Sequence, residues 1–116
     1  MIDFACKRFS LEEVIRCGLG LTKADLNLLS FLIKNINYFF TTQDLSKEIS
    51  LDLSTVQRSV RKLHDKNLLL RKQKNLKNGG YIFYYKAKPR REIKDIILDI
   101  VEKWVERVGK ELENWA

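Results

Sequence analysis

At Asn67 the spacing of apolar residues changes period, and this change constrains the fold more than any other feature of the chain. Before it, Leu53, Val56, Val60 and Leu63 recur at helical spacing. After it, "LLLRKQK" (68–74) and "YIFYYKA" (81–87) read as two strands. The intervening "NLKNGG" ends in Asn78–Gly79–Gly80, residues that favour the positive φ of a tight hairpin turn. A chain of 116 residues that runs from an amphipathic helix straight into a hairpin has room for one core and one domain.

Upstream, a first helix is expected to open at Ser10, with Glu13 completing a capping box, and to close at Gly18 or Gly20. A second opens at Thr22, with Asp25 in the same relation, and runs to about Asn35. It is apolar around most of its circumference, so it must be covered from two directions. "NYFFT" (37–41) suggests a brief strand, and a short helix spans Thr42 to Ile49 with Leu45 and Ile49 on one face. The turn "SLD" leads to a helix capped by Asp52, which places Leu53 inside the apolar stripe.

Downstream, Pro89 suits the first turn of a long final helix. Its apolar stripe is read as Ile93, Ile97, Ile100, Trp104, Val108, Leu112 and Trp115. A domain this small cannot cover so long a stripe, so these residues are expected to pair with a second copy, assisted by Leu11, Val14 and Ile15. The fold class is mainly α with a small β-hairpin. Residues 1–21 form an N-terminal helical extension, 22–88 a helix-turn-helix core with its hairpin, and 89–116 a dimerisation helix.

Charge is segregated along the chain. Residues 54–91 hold twelve Lys or Arg and one acid, Asp65, within a protein of net charge +7. The remainder is therefore acidic. Opposite the apolar stripe of the helix lie Ser54, Arg58, Arg61, Lys62 and Asp65, flanked by Thr55 and Gln57. Surface helices usually balance their cations with carboxylates at i±4, and here one such pairing exists, Arg61 with Asp65. A basic face on the second helix of a helix-turn-helix suits a major groove. Arg would meet guanine, Gln adenine, and Ser or Thr either. The candidates for bases are Ser54, Thr55, Gln57, Arg58 and Arg61, with Lys62 and Lys66 for phosphate. Arg71, Lys72, Lys74, Lys77, Asn78 and Gly79 would form a basic wing on phosphates or the minor groove. Tyr81, Phe83 and Tyr85 share one face of the return strand and are expected in the core, and Leu76 is expected to pack back on the strand.

The string "LSTVQRSVRKLHDKNLL", within "DLSKEISLDLSTVQRSVRKLHDKNLLLRKQ" and followed by "NGGYIFYYKAKP", resembles the winged helix-turn-helix of archaeal transcription regulators of the TrmB and MarR type. The resemblance covers residues from about 22 to 98. It implies a homodimer that binds double-stranded DNA at promoters, with recognition on Ser54, Thr55, Gln57, Arg58 and Arg61 and a wing from Lys74 to Gly80. Non-specific chromatin-like or RNA binding, or a protein-interaction winged helix, are the alternatives.

Other classes find little support. His64 is the one histidine, so no metal site has standard ligand spacing, and no cofactor is implied. Cys6 and Cys17 are too few for a disulfide framework and are expected as buried or half-buried reduced thiols, which leaves little room for a redox role. No nucleophile–base spacing or Gly-rich phosphate loop suggests an enzyme. Without a signal peptide or an apolar span, a cytoplasmic protein with no membrane partner is expected. Any small-molecule effector would need a pocket between subunits.

Overall fold

The computed structural model describes residues 1–116. Its elements are β1 (Ile2–Phe4), β2 (Lys7–Phe9), α1 (Leu11–Leu19), α2 (Lys23–Lys34), α3 (Thr42–Ile49), α4 (Leu53–Asp65), β3 (Leu69–Asn75), β4 (Tyr81–Ala87) and α5 (Arg90–Glu113). Four helices begin for a local reason. Ser10, Thr22, Thr41 and Asp52 take extended N-cap conformations, and each side chain accepts from the N–H three residues on. Thr22 with Asp25 and Thr41 with Asp44 form reciprocal capping boxes. Ser10 and Glu13 form only half of the expected box, in which Glu13 N–H donates to Ser10 Oγ. The turn between α3 and α4 lacks glycine, and Ser50 itself takes the left-handed conformation at φ 55°, where a Cβ costs about 1 kcal/mol.

The core sits where α2, α3 and α4 meet the base of the hairpin. Leu28, Leu32, Leu45, Val56, Leu63 and Leu68 are fully buried there, and Ile93 closes it from α5. Leu53, at the first position of α4, stays 37% exposed and does not join the buried stripe. Strands β3 and β4 pair antiparallel from Leu69↔Ala87 to Asn75↔Tyr81. The expected strand at "NYFFT" is a single bridge: Phe40 N–H donates to Tyr85 O at 2.8 Å and Tyr85 N–H to Phe40 O at 2.7 Å. Tyr85 is consequently buried, but the aromatic face opens toward the hairpin tip. Phe83 is half-buried and Tyr81 exposed, and Leu76 is exposed rather than folded back.

Three further expectations need correction. The N-terminal extension is not all helical, because Ile2–Phe4 and Lys7–Phe9 form a small hairpin with Asp3 and Arg8 paired at 2.7 Å. Cys6, beside its turn, and Cys17, on the outer side of α1, are exposed free thiols rather than buried ones. Finally, α5 does not carry one stripe. Ile93 lies in this domain's own core and is not free for a partner, and Ile97 and Ile100 are half-buried against that core beside Ile96. Trp115 lies beyond the helix, which ends at Glu113. About a quarter turn away, the exposed Leu98, Val101, Val105, Val108 and Leu112 step by three, four, three and four residues, the spacing of a coiled-coil seam.

Because α5 runs past the core, the molecule measures 66 × 25 × 23 Å, with a radius of gyration of 17.3 Å. A compact chain of this length has about 13 Å.

Candidate nucleic-acid interface

Helix α4 offers its outer face between two supports. On one side, Asp25 of α2 is 4% exposed. Its carboxylate accepts from Ser59 Oγ at 2.6 Å, from Lys62 Nζ at 2.7 Å and from Thr22 N–H at 2.9 Å. Burial alone would raise the Asp25 pKa, but these hydrogen bonds, with Lys62 foremost, outweigh it and hold the pKa at about 2 instead of 3.8. Lys62, expected on the phosphate side, is thus turned inward and bolts α4 onto α2. The capping position of Asp25 was legible from the sequence. Its reach to Ser59 and Lys62 was not, because only the tertiary packing of α2 on α4 creates it.

At the start of α4, Asp52 organises two of the candidate base-reading residues. Ser54 Oγ and Thr55 Oγ1 donate to its carboxylate at 2.5 and 2.6 Å. The Ser54 and Thr55 hydrogen bonds hold the Asp52 pKa down at about 2. Both hydroxyl protons are therefore committed, which leaves each oxygen only acceptor capacity. Arg58 Nη2 donates to Thr55 Oγ1 at 3.5 Å. Gln57, Arg58 and Arg61 are exposed. The chain's ion pairs are Arg8–Asp3, Lys62–Asp25 and Lys103–Asp99, so neither arginine is neutralised by a carboxylate.

On the other side stands the hairpin. Arg71 lies across the Phe83 ring at 4.4 Å from its centroid, and Phe83 meets Tyr81 edge-on at 5.1 Å. A cleft of about 470 Å³ separates this face from α4, lined by Gln57, Arg61, His64, Arg71 and Phe83 among others. The tip is closed by Gly79 and Gly80, both at positive φ, and Leu76 N–H donates to Gly80 O at 3.0 Å. This leaves Lys77, Asn78 and Gly79 at the extremity of the wing, all exposed.

The structure divides the wing residues grouped together in the sequence. Neighbours along a strand point to opposite faces, so Arg71 looks toward α4 while Lys72 and Lys74 look away from it. Lys72 and Lys74 therefore do not belong to the surface that carries Arg58 and Arg61. The sequence spacing carried this signal, since 71 and 72 cannot share a face.

No helix of the structure is long and apolar enough to cross a membrane. The chain is 34% identical to an uncharacterized protein of Methanocaldococcus jannaschii, MJ1503, over 98% of this chain and 85% of that protein. Among solved structures, a possible transcriptional regulator from Methanosarcina mazei Go1 is 50% identical, covers 99% of this chain and 96% of its own, and superposes with a TM-score of 0.94. An S. aureus MepR variant bound to an oligodeoxyribonucleotide is 15% identical and shares the fold at a TM-score of 0.56, over 90% of this chain and 73% of its own. The winged-helix fold is common to the M. mazei protein, the MepR variant and this chain. The match that defines the family extends over residues 9–108, and the chain belongs to the DnaD N-terminal domain family.

Proposed function

We propose that the protein is a transcription regulator that binds double-stranded DNA sequence-specifically as a homodimer. The observation that carries this reading is the pair of unneutralised arginines, Arg58 and Arg61, on the outer face of a helix tied to α2 through Asp25. A face so charged and so fixed suits a major groove, where Arg58 and Arg61 would meet guanine and Gln57 adenine. Ser54 and Thr55, their protons given to Asp52, would accept from an exocyclic base amine. Lys66 on α4, with Lys77, Asn78 and Gly79 at the wing tip, would contact phosphates or the minor groove. The shared fold with a MepR variant bound to an oligodeoxyribonucleotide supports DNA as the partner, as does the M. mazei protein described as a possible regulator.

The second copy would pair along α5. Its Leu98, Val101, Val105, Val108 and Leu112 form an exposed seam that this domain leaves uncovered, flanked by Trp104 at 55% exposure. A two-fold pairing along this seam presents two recognition helices and calls for an inverted repeat with half-sites about 10 bp apart or a multiple of that. Selection from a random duplex pool at physiological salt tests the reading. Enrichment of an inverted repeat is expected, and retention without enrichment would overturn sequence-specific regulation. On the selected site, Arg58→Ala is expected to cost about 1–3 kcal/mol and to relax preference at one base pair per half-site. Lys77→Ala should weaken all sequences alike.

A further inference from the structure

The face of the hairpin turned away from α4 has a chemistry of its own. Lys72, Lys74, Tyr84 and Lys86 share it by strand alternation. Phe39 joins them because its neighbour Phe40 pairs with Tyr85, whose side chain faces the core. Lys72 Nζ lies 4.6 Å from the Phe39 ring centroid and 5.7 Å from that of Tyr84, and Lys86 Nζ lies 5.3 Å from the same Phe39 ring. An ammonium over a centroid meets the face of a ring rather than its edge, so Phe39 turns its π face outward beneath two cations. Neither cation has a carboxylate partner. Tyr38, 65% exposed, precedes Phe39 in the chain. Protection of a free sheet edge accounts for lysines on β3. It does not account for Lys86, whose strand lies between β3 and the Phe40 bridge.

We propose that this outer face is a second nucleic-acid surface, one that binds single-stranded nucleic acid by stacking bases on Phe39 and Tyr84 while Lys72, Lys74 and Lys86 hold its phosphates. A duplex can use the cations but keeps the faces of its bases inside its own stack. An unpaired strand uses both cations and rings. The lysine–ring contacts are weak at an exposed site, so an arriving base displaces the ammonium groups from the ring toward the phosphates beside it.

Fluorescence anisotropy of the full-length protein with a labelled oligothymidylate of about twelve nucleotides tests the proposal, with a random duplex of equal length measured alongside. Lys72→Ala combined with Lys86→Ala is expected to lower oligothymidylate affinity about tenfold and duplex affinity by less than about threefold. Arg58→Ala combined with Arg61→Ala removes the same charge from α4 and should show the opposite pattern. Phe39→Leu keeps apolar bulk at a half-buried site and should weaken oligothymidylate about fivefold with an unchanged melting temperature. Absence of oligothymidylate binding by the wild type would overturn the proposal. So would equal losses on both ligands in the lysine variant, or full affinity in a folded Phe39→Leu protein. Because oligothymidylate binding by the wild type and by Phe39→Leu does not depend on duplex binding through α4, its failure is distinguishable from failure of the regulator reading.

Discussion

Helices α4 and α5 are both amphipathic, yet they are satisfied in different ways. In α4, Val56, Val60 and Leu63 are buried against α2, α3 and the base of the hairpin, and even the polar Ser59 and Lys62 find a partner in Asp25. In α5, Ile93 enters the core and Ile96, Ile97 and Ile100 pack on its rim, but every residue from Val101 onward is exposed. Packing therefore holds α4 in one orientation within a single chain. The outer half of α5 has only its own backbone bonds and the Asp99–Lys103 pair at 3.0 Å to keep it helical. Amphipathic periodicity announces that a face will be buried. It does not say against what.

The contrast can be broken most forcefully in the core. Leu63→Ala should cost about 2–5 kcal/mol by urea denaturation, whereas Leu112→Ala should change the unfolding of a dilute monomer by less than about 0.5 kcal/mol. Equal costs would mean that the end of α5 is packed in the monomer after all. Next in size is Asp25→Ala. Removing one partner of a buried pair costs about 3–5 kcal/mol, but Lys62, 38% exposed at its side chain, can turn to water, so a loss of about 2 kcal/mol is expected.

The same pair sets an acid limit. The folded-state pKa of Asp25 is depressed, so its stabilisation is present above 3.8 and is lost as pH falls through about 2. Asp52 titrates in the same window. Stability of Asp25→Asn should therefore fall less steeply with acid than that of the wild type, and parallel curves would show that the ion pair does not stabilise the fold.

Association should respond to α5 rather than to α4. Val105→Asp is expected to turn a dimer into a 13.7 kDa species in micromolar sedimentation equilibrium. A wild type that already sediments as a monomer would remove the seam from consideration. The smallest effect belongs to the turn before α4. Ser50→Gly should stabilise the protein by about 0.5–1 kcal/mol by relieving the left-handed conformation, and a loss of stability would mean that the Ser50 side chain contributes more than its strain costs.

Local rules made much of this fold legible. The caps at Thr22 and Asp52, the short α3 and the Gly79–Gly80 turn each follow from residues within one turn of the feature. Long-range relations were less accessible. Helical geometry alone sets Lys62 beside Arg58, on the DNA-facing side, and its partner Asp25 lies 37 residues away. The strands Ile2–Phe4 and Lys7–Phe9 are too short to show alternation, and Ala5–Cys6 carries no turn signature. In α5, the inner stripe through Ile93, Ile97 and Ile100 and the outer seam through Val108 and Leu112 can be joined by steps of three and four, so spacing alone merged two faces into one. Strand alternation alone separates Lys72 from Arg71, without any knowledge of the tertiary structure.

The projecting α5 also has a hydrodynamic consequence. A particle 66 Å long and about 25 Å across experiences more friction than a sphere of its mass, so a single chain will elute from a sizing column ahead of its 13.7 kDa. Elution volume calibrated on globular standards would then overstate the mass of a single chain. Mass must be read from a method insensitive to shape, such as sedimentation equilibrium or light scattering. Rotational diffusion, slow about the short axes and fast about the long one, would in turn report whether the rod stays rigid.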